Sequence, residues 1–478
     1  MWGRDKLTKI IKFTNQHILE IMTWGVVVGF TILYVSLVFN YNVWTDEAFT
    51  IQLLKGNFRE IVAGTARDVH PPFYYFYLKI FIYIFGNSLW AMKIASIIPL
   101  TATLVLGATV IRKRFGQTTA FLYTMFLSCI PCSMEFSVQV RMYSLAIFMV
   151  TTCGIFAYLA FEDGKKRDFL IFGLCGVLAA YTHYFAFMAV IIITGIFFLA
   201  IMFWNRKRIL PWIITAVSMI IGYLPWMPTF IKQVTSVRKG YWITEITPES
   251  IWGYFTWTFD LTTIPGMVFI FLIIIKAAST YNIIKIAQTK EKTEIFALIC
   301  MLVPTLTMLI GVIISSYKAP IYREQYVFPA LGLFSLFFAV AMRKAKKLFL
   351  ILISAFLLFV GAFQYKECHY QEYDSTLFPQ TKEFFDNNLA PSDYIVYNYK
   401  LFDFIYECHF PEEQLVYLED FDFSQDFNAV WFMHTWWAEG NVDVQALAEM
   451  GLSVELIGRY GIEHNLFDLY MIYPTVEY

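Results

Sequence analysis

Apolar runs of about twenty residues recur through the first 364 residues of the chain, and short clusters of Lys and Arg punctuate them. A run of that length spans the roughly 30 Å hydrocarbon core of a bilayer as one helix. No water-soluble fold can bury so many such runs, and charged residues make up only 15% of the chain, against about 25% in ordinary soluble domains. The fold class expected is therefore a polytopic α-helical membrane protein.

The basic clusters set a topology. They are Arg4/Lys6/Lys9/Lys12, Arg112–Arg114, Lys165–Arg167, Arg206–Arg208, Lys285/Lys290/Lys292 and Arg343–Lys347. Positively charged loops stay in the cytoplasm. Six inside clusters imply ten spans, and a further run after Lys347 gives about 11 transmembrane helices. The expected spans are 20–40, 89–111, 117–134, 142–161, 169–182, 185–204, 211–230, 261–279, 294–316, 326–342 and 348–364. The 73–86 run does not fit. Fourteen residues rise only about 21 Å, and a crossing there would invert every later cluster. It is expected as a juxtamembrane or re-entrant helix rich in tyrosine. The division expected is a cytoplasmic N-terminus at 1–19, a membrane domain at 20–364 with an outer loop at 41–88, and an extracytoplasmic domain at 365–478.

Charge separates that last domain from the rest. It holds 21 of the 37 acidic residues and 4 of the 36 basic ones, leaving 16 acidic and 32 basic in the first 364. Helical patterns at Thr381–Leu389 and Val444–Gly451 alternate with apolar strands at Tyr394–Tyr397, Gln414–Leu418, Ala429–Met433 and Leu466–Tyr473. A small α/β domain in water is expected. Its acidity excludes nucleic acid as a partner.

Unusual polar residues gather in the outer loops. Asp46 and Glu47 follow the first span. A carboxylate there serves as a general base, as a metal contact, or as a helix cap. His70 precedes Pro71-Pro72, which fix the backbone behind it. It reads as a metal ligand, a phosphate contact or an interfacial histidine, with Asp68 placed to orient it. Arg141 and Tyr143 lie at the turn between the third and fourth spans, His183 at the next outer turn, and Tyr322-Arg323 before the tenth span. Arginine suits bidentate contact with phosphate, but also anchors span ends at the membrane surface. The metal contacts, if a divalent cation takes part, are Asp46 and His70. The cysteines carry no zinc pattern. Cys129-Ile-Pro-Cys132 lies inside an apolar run, and Cys368 and Cys408 lie outside the spans, where oxidation would allow pairing.

These landmarks together resemble the GT-C superfamily of membrane glycosyltransferases. The closest likeness is to glycosyltransferase family 39, the protein O-mannosyltransferase and lipid A aminoarabinose transferase-like group. The residues that carry it are Asp46-Glu47, Asp68-Val69-His70-Pro71-Pro72, Gly86-Asn87-Ser88, Arg112–Gly116, Val140–Tyr143, Tyr181–Tyr184 and Tyr322-Arg323-Glu324. Residues 20–345 fall within the likeness; the tail does not. The resemblance implies a polyprenyl-phosphate-linked sugar as donor, drawn from among the membrane lipids. It implies a cell-envelope glycan, lipid or protein as acceptor, on the outer face of the cell membrane. It makes Asp46 the general base or metal contact, with Glu47 second. It assigns His70, Arg141, Tyr143, His183, Tyr322 and Arg323 to the donor phosphate. The alternative is a transporter or flippase of lipid-linked sugars, which would place its charges at mid-membrane on broken helices. The topology makes a direct prediction: a protease-cleavable tag after Tyr478 is cut from outside intact cells, whereas one before Met1 is protected.

Overall fold

The structure, a computed structural model, describes all residues except 1, 40–42, 238–242, 244, 262, 319, 369–376, 439, 464 and 476–478, and side chains from His17 onward. It divides into two compact units, Met1–Phe39 with Asn57–Cys368, and Asn40–Gly56 with His369–Tyr478.

The first unit is all helical. In chain order it contains α1 (Trp2–Ser36), then, after α2 (Thr45–Lys55) of the other unit, α3 (Phe58–Arg67), α4 (Phe73–Phe85) and α5 (Leu89–Leu106). α5 runs through a π turn into α6 (Arg112–Phe115). There follow α7 (Gln117–Cys129), α8 (Pro131–Val138), α9 (Tyr143–Glu162), α10 (Lys166–Ala180) and α11 (Tyr184–Trp204). α12 (Ile209–Tyr223), α13 (Met227–Ser236), α14 (Pro248–Phe259), α15 (Met267–Thr289) and α16 (Lys292–Tyr317) come next. A 3-10 segment, Glu324–Ala330, leads into α17 (Leu331–Met342), and α18 (Lys347–Glu367) closes the unit.

Among the described residues, nine helical stretches are long and apolar enough to cross a membrane. A tenth is the pair α7–α8, bent by 72° where Pro131 opens α8 and removes a backbone donor. The polytopic helical class expected from the sequence is therefore present, with nine to ten membrane-length helices in place of eleven. The difference is the expected span at 169–182. It corresponds to α10, whose 15 residues rise only about 22 Å.

Among the described side chains the basic clusters meet in one layer; those of Arg4, Lys6, Lys9 and Lys12 lie outside the described residues. Arg112 pairs with Glu20 at 2.5 Å, and Arg114 with Glu162 and Asp163 at 3.5 and 3.3 Å. Arg208 donates to the Asp163 carbonyl, and Lys292 pairs with Glu162 at 2.8 Å. Arg343 reaches buried Glu294 at 2.6 Å. α9 begins at Tyr143 and ends at Glu162, so about 30 Å of helix separates this layer from its other end. α10 runs back from Lys166 at this layer to Ala180, a shorter rise of about 22 Å, packed tightly on α12. A methyl group at Gly176 would collide with Met219, the close approach that small residues permit between helices in lipid. The 13-residue α4 starts and ends on the side away from the basic layer. Its Phe73 amide bonds the Tyr181 carbonyl just beyond α10, and Gly86–Ser88 return the chain directly to α5. Tyr74 and Tyr77 tie it to Ser96 and Ala95 of α5.

The second unit is a small α/β domain. Besides α2 it contains α19 (Phe378–Asn388), β1 (Tyr394–Tyr397), α20 (Asp403–His409), β2 (Leu415–Tyr417), β3 (Val430–His434), α21 (Val444–Glu449), β4 (Leu452–Ile462) and β5 (Asn465–Pro474). The sheet order is β2-β1-β3-β5-β4. β1 runs parallel to β2 and β3, and β5 runs antiparallel to β3 and β4. Val396, Val430, Phe432, Leu452 and Ile472 form the core on one face, with Leu447 of α21. The four strands expected from the sequence are all present. β4 and α20 were not foreseen: Gly458 and Gly461 interrupt the alternation of β4, and α20 is a single short helix. All seven cysteines are free thiols, with Cys368 in the first unit and Cys408 in the second.

α2 is built into this second unit although it lies within the first outer loop. Phe49 packs on Phe404 of α20, Lys55 pairs with Glu412 at 2.9 Å, and the Val43 amide donates to buried Glu463 at 2.5 Å.

The basic layer supplies a stability test. Glu294 is 1% exposed and accepts from Arg343 and from the Asn282 amide. Glu294→Ala leaves the largely buried Arg343 guanidinium with the exposed Glu291 as its counter-charge beside the Val340 carbonyl, at a cost of about 3 kcal/mol. A lower unfolding temperature in detergent is expected, largely restored in Glu294→Leu/Arg343→Met.

Candidate active site

The polar cluster at the end of the first unit away from the basic layer is assembled from four chain turns. The first joins α3 to α4. Asn57 caps α3 by accepting from the Arg59 and Glu60 amides, and Glu60 returns a bond to the Asn57 amide. α3 ends where Pro71-Pro72 cannot continue it. The three residues between are pinned by the buried Gln233 amide of α13, whose Nε2 donates to the Thr65 and Asp68 carbonyls. Gln233 Oε1 accepts from the Tyr184 hydroxyl, which in turn accepts from the Trp226 indole at 3.1 Å.

His70 is held by this arrangement. Its Nδ1 bonds Asp68 Oδ2 at 2.7 Å, and its Nε2 faces Arg141 Nη2 at 3.4 Å. Burial alone would raise the Asp68 carboxyl, but the charges of His70 and Arg141 with the bond to His70 hold it below the usual aspartate range. An ionised Asp68 accepts a hydrogen bond from Nδ1–H, which leaves Nε2 as the acceptor facing Arg141.

Arg141 sits in the turn between α8 and α9 and is 3% exposed. Its amide donates to the Gln139 carbonyl at 2.7 Å, and Ser144 ties the start of α9 to the Phe136 carbonyl. Tyr143 opens α9, buried between Phe136 and His183, with ring centres at 4.4 and 5.7 Å. His183 caps α11, its Nδ1 accepting from the Phe185 amide at 3.1 Å. That bond leaves the ring proton on Nε2 and the ring neutral. Burial first, then the His70 and Arg141 charges, push its pKa well below the usual histidine value. The His70 and His183 rings lie 6.2 Å apart, and Tyr326 packs edge-on to His183 at 5.1 Å.

The structure thus brings together His70, Arg141, Tyr143 and His183 of the residues singled out from the sequence. Tyr322 and Arg323 immediately precede the adjoining 3-10 segment. The Ile321 and Tyr322 amides donate to Ser315 Oγ at 3.0 and 2.9 Å, which turns the chain back beneath α16. Tyr322 is buried against Phe185 and Tyr254, and a side chain at Gly311 would press into Phe185 at 2.7 Å. Arg323 is part exposed and pairs with Glu324 at 3.6 Å. Sequence reasoning passed over Tyr326 and Gln233. Tyr326 stood in the Tyr322–Tyr326 run; Gln233 gave no signal beyond being an amide at the end of an apolar helix.

Beside the cluster lies a cavity of about 400 Å³. Phe187, Met188, Ile191, Phe230, Ile310 and Ile314 give it an apolar wall, and His70, His183, Gln233 and Lys318 are its polar lining. In the second unit, Asp46 is exposed on the first turn of α2, and Glu47 is buried beneath it. The Glu47 carboxylate accepts from the Trp44 amide at 3.3 Å, which is the capping role.

Among the described residues no three His, Cys, Asp or Glu side chains gather as a cation ligand set. The guanidinium beside His70 disfavours a metal ion there and favours an anion.

Residues 69–228 match the family model of dolichyl-phosphate-mannose-protein mannosyltransferases. No curated protein matches the sequence significantly. In fold the chain is similar to ArnT from Cupriavidus metallidurans, solved with undecaprenyl phosphate and in the apo state. The TM-scores are 0.62 and 0.63 at 11% and 12% identity, over 96% of this chain and 98% of ArnT in each case. The resemblance to the GT-C superfamily therefore holds in the sequence of residues 69–228 and in the fold of nearly the whole chain.

The neutral, buried His183 has a pH signature. Its pKa is lower folded than unfolded, so its contribution is complete above about pH 6.5. The contribution is lost as pH falls below that value and the unfolded chain takes up the proton. Between pH 7.5 and 5 the wild type is expected to lose more thermal stability than His183→Asn, as followed by unfolding in detergent.

Proposed function

Taking the chain as a multi-pass membrane protein of the GT-C glycosyltransferase superfamily, we propose that it moves a sugar from a polyprenyl-phosphate-linked donor to a cell-envelope glycan, lipid or protein at the outer membrane face. The observation that carries this reading is the apolar cavity that meets His70 and His183 next to Arg141. An isoprenoid chain needs an apolar slot within the membrane, and its phosphate needs buried donors where that slot meets the polar layer. A fold shared with a protein solved with undecaprenyl phosphate supports the same donor class.

The chemistry follows from the groups present. The acceptor hydroxyl oxygen attacks the anomeric carbon, and the bond from that carbon to the phosphate oxygen breaks. The polyprenyl phosphate leaves with one more negative charge than it had in the donor. Arg141, held in place by His70, meets that charge as it develops, in a site largely closed to water, where fixed donors act most strongly. Asp68 holds the His70 ring, and Gln233 holds the Asp68 backbone. His183, with its proton on Nε2, is a neutral donor to a phosphate oxygen. Tyr143 and Tyr326 fix the His183 ring, and Arg323 supplies a second cation near the mouth. Asp46 takes the acceptor proton as general base. Its exposed place on the first turn of α2 suits that role, while the buried Glu47 serves as the cap. Attack on the face opposite the phosphate inverts the anomeric centre. No step is routed through a metal, because the donor set around His70 suits an anion.

The test uses purified protein with extracted polyprenyl-phosphate sugars and an envelope acceptor fraction, following free polyprenyl phosphate by mass spectrometry. Asp46→Asn is expected to lose about 100-fold or more in turnover while still binding donor. Arg141→Ala is expected to lose about 100-fold in donor-limited turnover. Full activity of a folded Asp46→Asn protein would remove the general-base assignment.

A further inference from the structure

The second unit carries an unassigned aromatic surface at a place where α/β sheets bind ligands. In the order β2-β1-β3 the chain leaves β1 to one side and reaches β3 on the other. Ligands of such sheets lie outside the carboxyl ends of the strands at this reversal. Here those ends continue as Asn398-Tyr399-Lys400 and Thr435-Trp436-Trp437.

The two loops form one rigid piece. The Asn398 side chain donates to the Thr435 and Gly440 carbonyls at 3.1 and 2.7 Å and accepts from the Thr435 amide at 2.8 Å. On this base Trp437 stands edge-on to Tyr399 at 4.4 Å. Trp436 and Trp437 remain 46% and 54% exposed. Two adjacent tryptophans left this open in a water-facing domain mark a binding surface. Residues 369–478 contain three basic side chains, Lys382, Lys400 and Arg459; Arg459 packs on the aromatics, and Lys400 follows Tyr399 in the chain. Arg459 lies over Trp436 at 4.5 Å and pairs with Asp468 at 2.9 Å, and Lys400 lies over Tyr417 at 4.9 Å.

We propose that Trp436, Trp437 and Tyr399 form a stacking platform for the saccharide portion of the acceptor, with Lys400, Arg459 and Asp468 as its polar rim. The C–H face of a pyranose ring packs on flat indole and phenol faces, while its hydroxyls meet planar charged groups at the edge. The strong acidity of the unit repels an anionic bilayer surface, which favours a glycan over the membrane as the occupant. The platform and the first turn of α2 share one edge of the sheet. Asn465, two residues after the Glu463 that accepts the Val43 amide, bonds Thr435 at 3.0 Å. A saccharide held there lies on the same edge as Asp46. The role as acceptor site rests on the transferase reading; the binding itself does not.

The test uses full-length protein in zwitterionic nanodiscs, titrated calorimetrically with size-fractionated oligosaccharides released by mild acid from the source cells' envelope. Saturable binding is expected. It should weaken about tenfold or more in Trp437→Ala and in Trp436→Ala, and no more than about threefold in Trp437→Phe. In transfer assays, Trp437→Ala should raise the acceptor KM about tenfold with little change in kcat at saturation. Absence of binding by every fraction, equal binding by wild type and both alanine variants, or binding to anionic vesicles in place of glycans overturns the platform. Saccharide binding without transfer by the wild type overturns the transferase reading and leaves the platform standing.

Discussion

A charge inside hydrocarbon must be paired or moved to an edge, and the first unit is arranged around that constraint. The basic residues that punctuate the apolar runs collect in one layer, bound to Glu20, Glu162, Asp163 and Glu294. The other end of the same helices holds His70, Arg141 and His183. α9, about 30 Å long, and the shorter α10 connect the two ends. Every turn on the site side is therefore a place where polar groups are affordable. The cluster forms there because four such turns converge.

The cluster is preorganised mainly through backbone groups. Gln233 holds the α3–α4 turn by two carbonyls, Ser315 holds the segment before Tyr322 by two amides, and Ser144 holds the turn before α9 by one carbonyl. None of these three side chains carries the chemistry. They fix the turns from which His70, Arg141 and Tyr326 project, so these side chains keep their places without a water shell.

Much of this was legible in the chain before the fold was known. Periodic apolar runs and Lys/Arg clusters give the helices and their common basic layer, because both follow from the cost of charge in lipid. His70, Arg141 and His183 stand out because polar residues at span ends are few. What was not legible depends on contacts distant in sequence. Gln233 is an ordinary amide until α13 packs beside α3. Glu47 and Asp46 look equivalent until the helix start buries one as a cap and leaves the other open. α10 read as a span because its apolar stretch lies between two turns, although at 15 residues it is shorter than a bilayer core. β4 was missed because its glycines break the alternation that marks a strand.

The helix that bears Asp46 belongs to a domain whose remaining parts are encoded more than three hundred residues later. The amide of Val43 waits for a carboxylate 420 positions downstream. During synthesis, the membrane helices can insert one after another while α2 has no core to join. The segment takes its final form only after the last strands, β4 and β5, have been made. Assembly of this acidic turn is thus the closing event of biogenesis, and a chain cut short within its tail emerges with the span bundle complete and Asp46 without its scaffold.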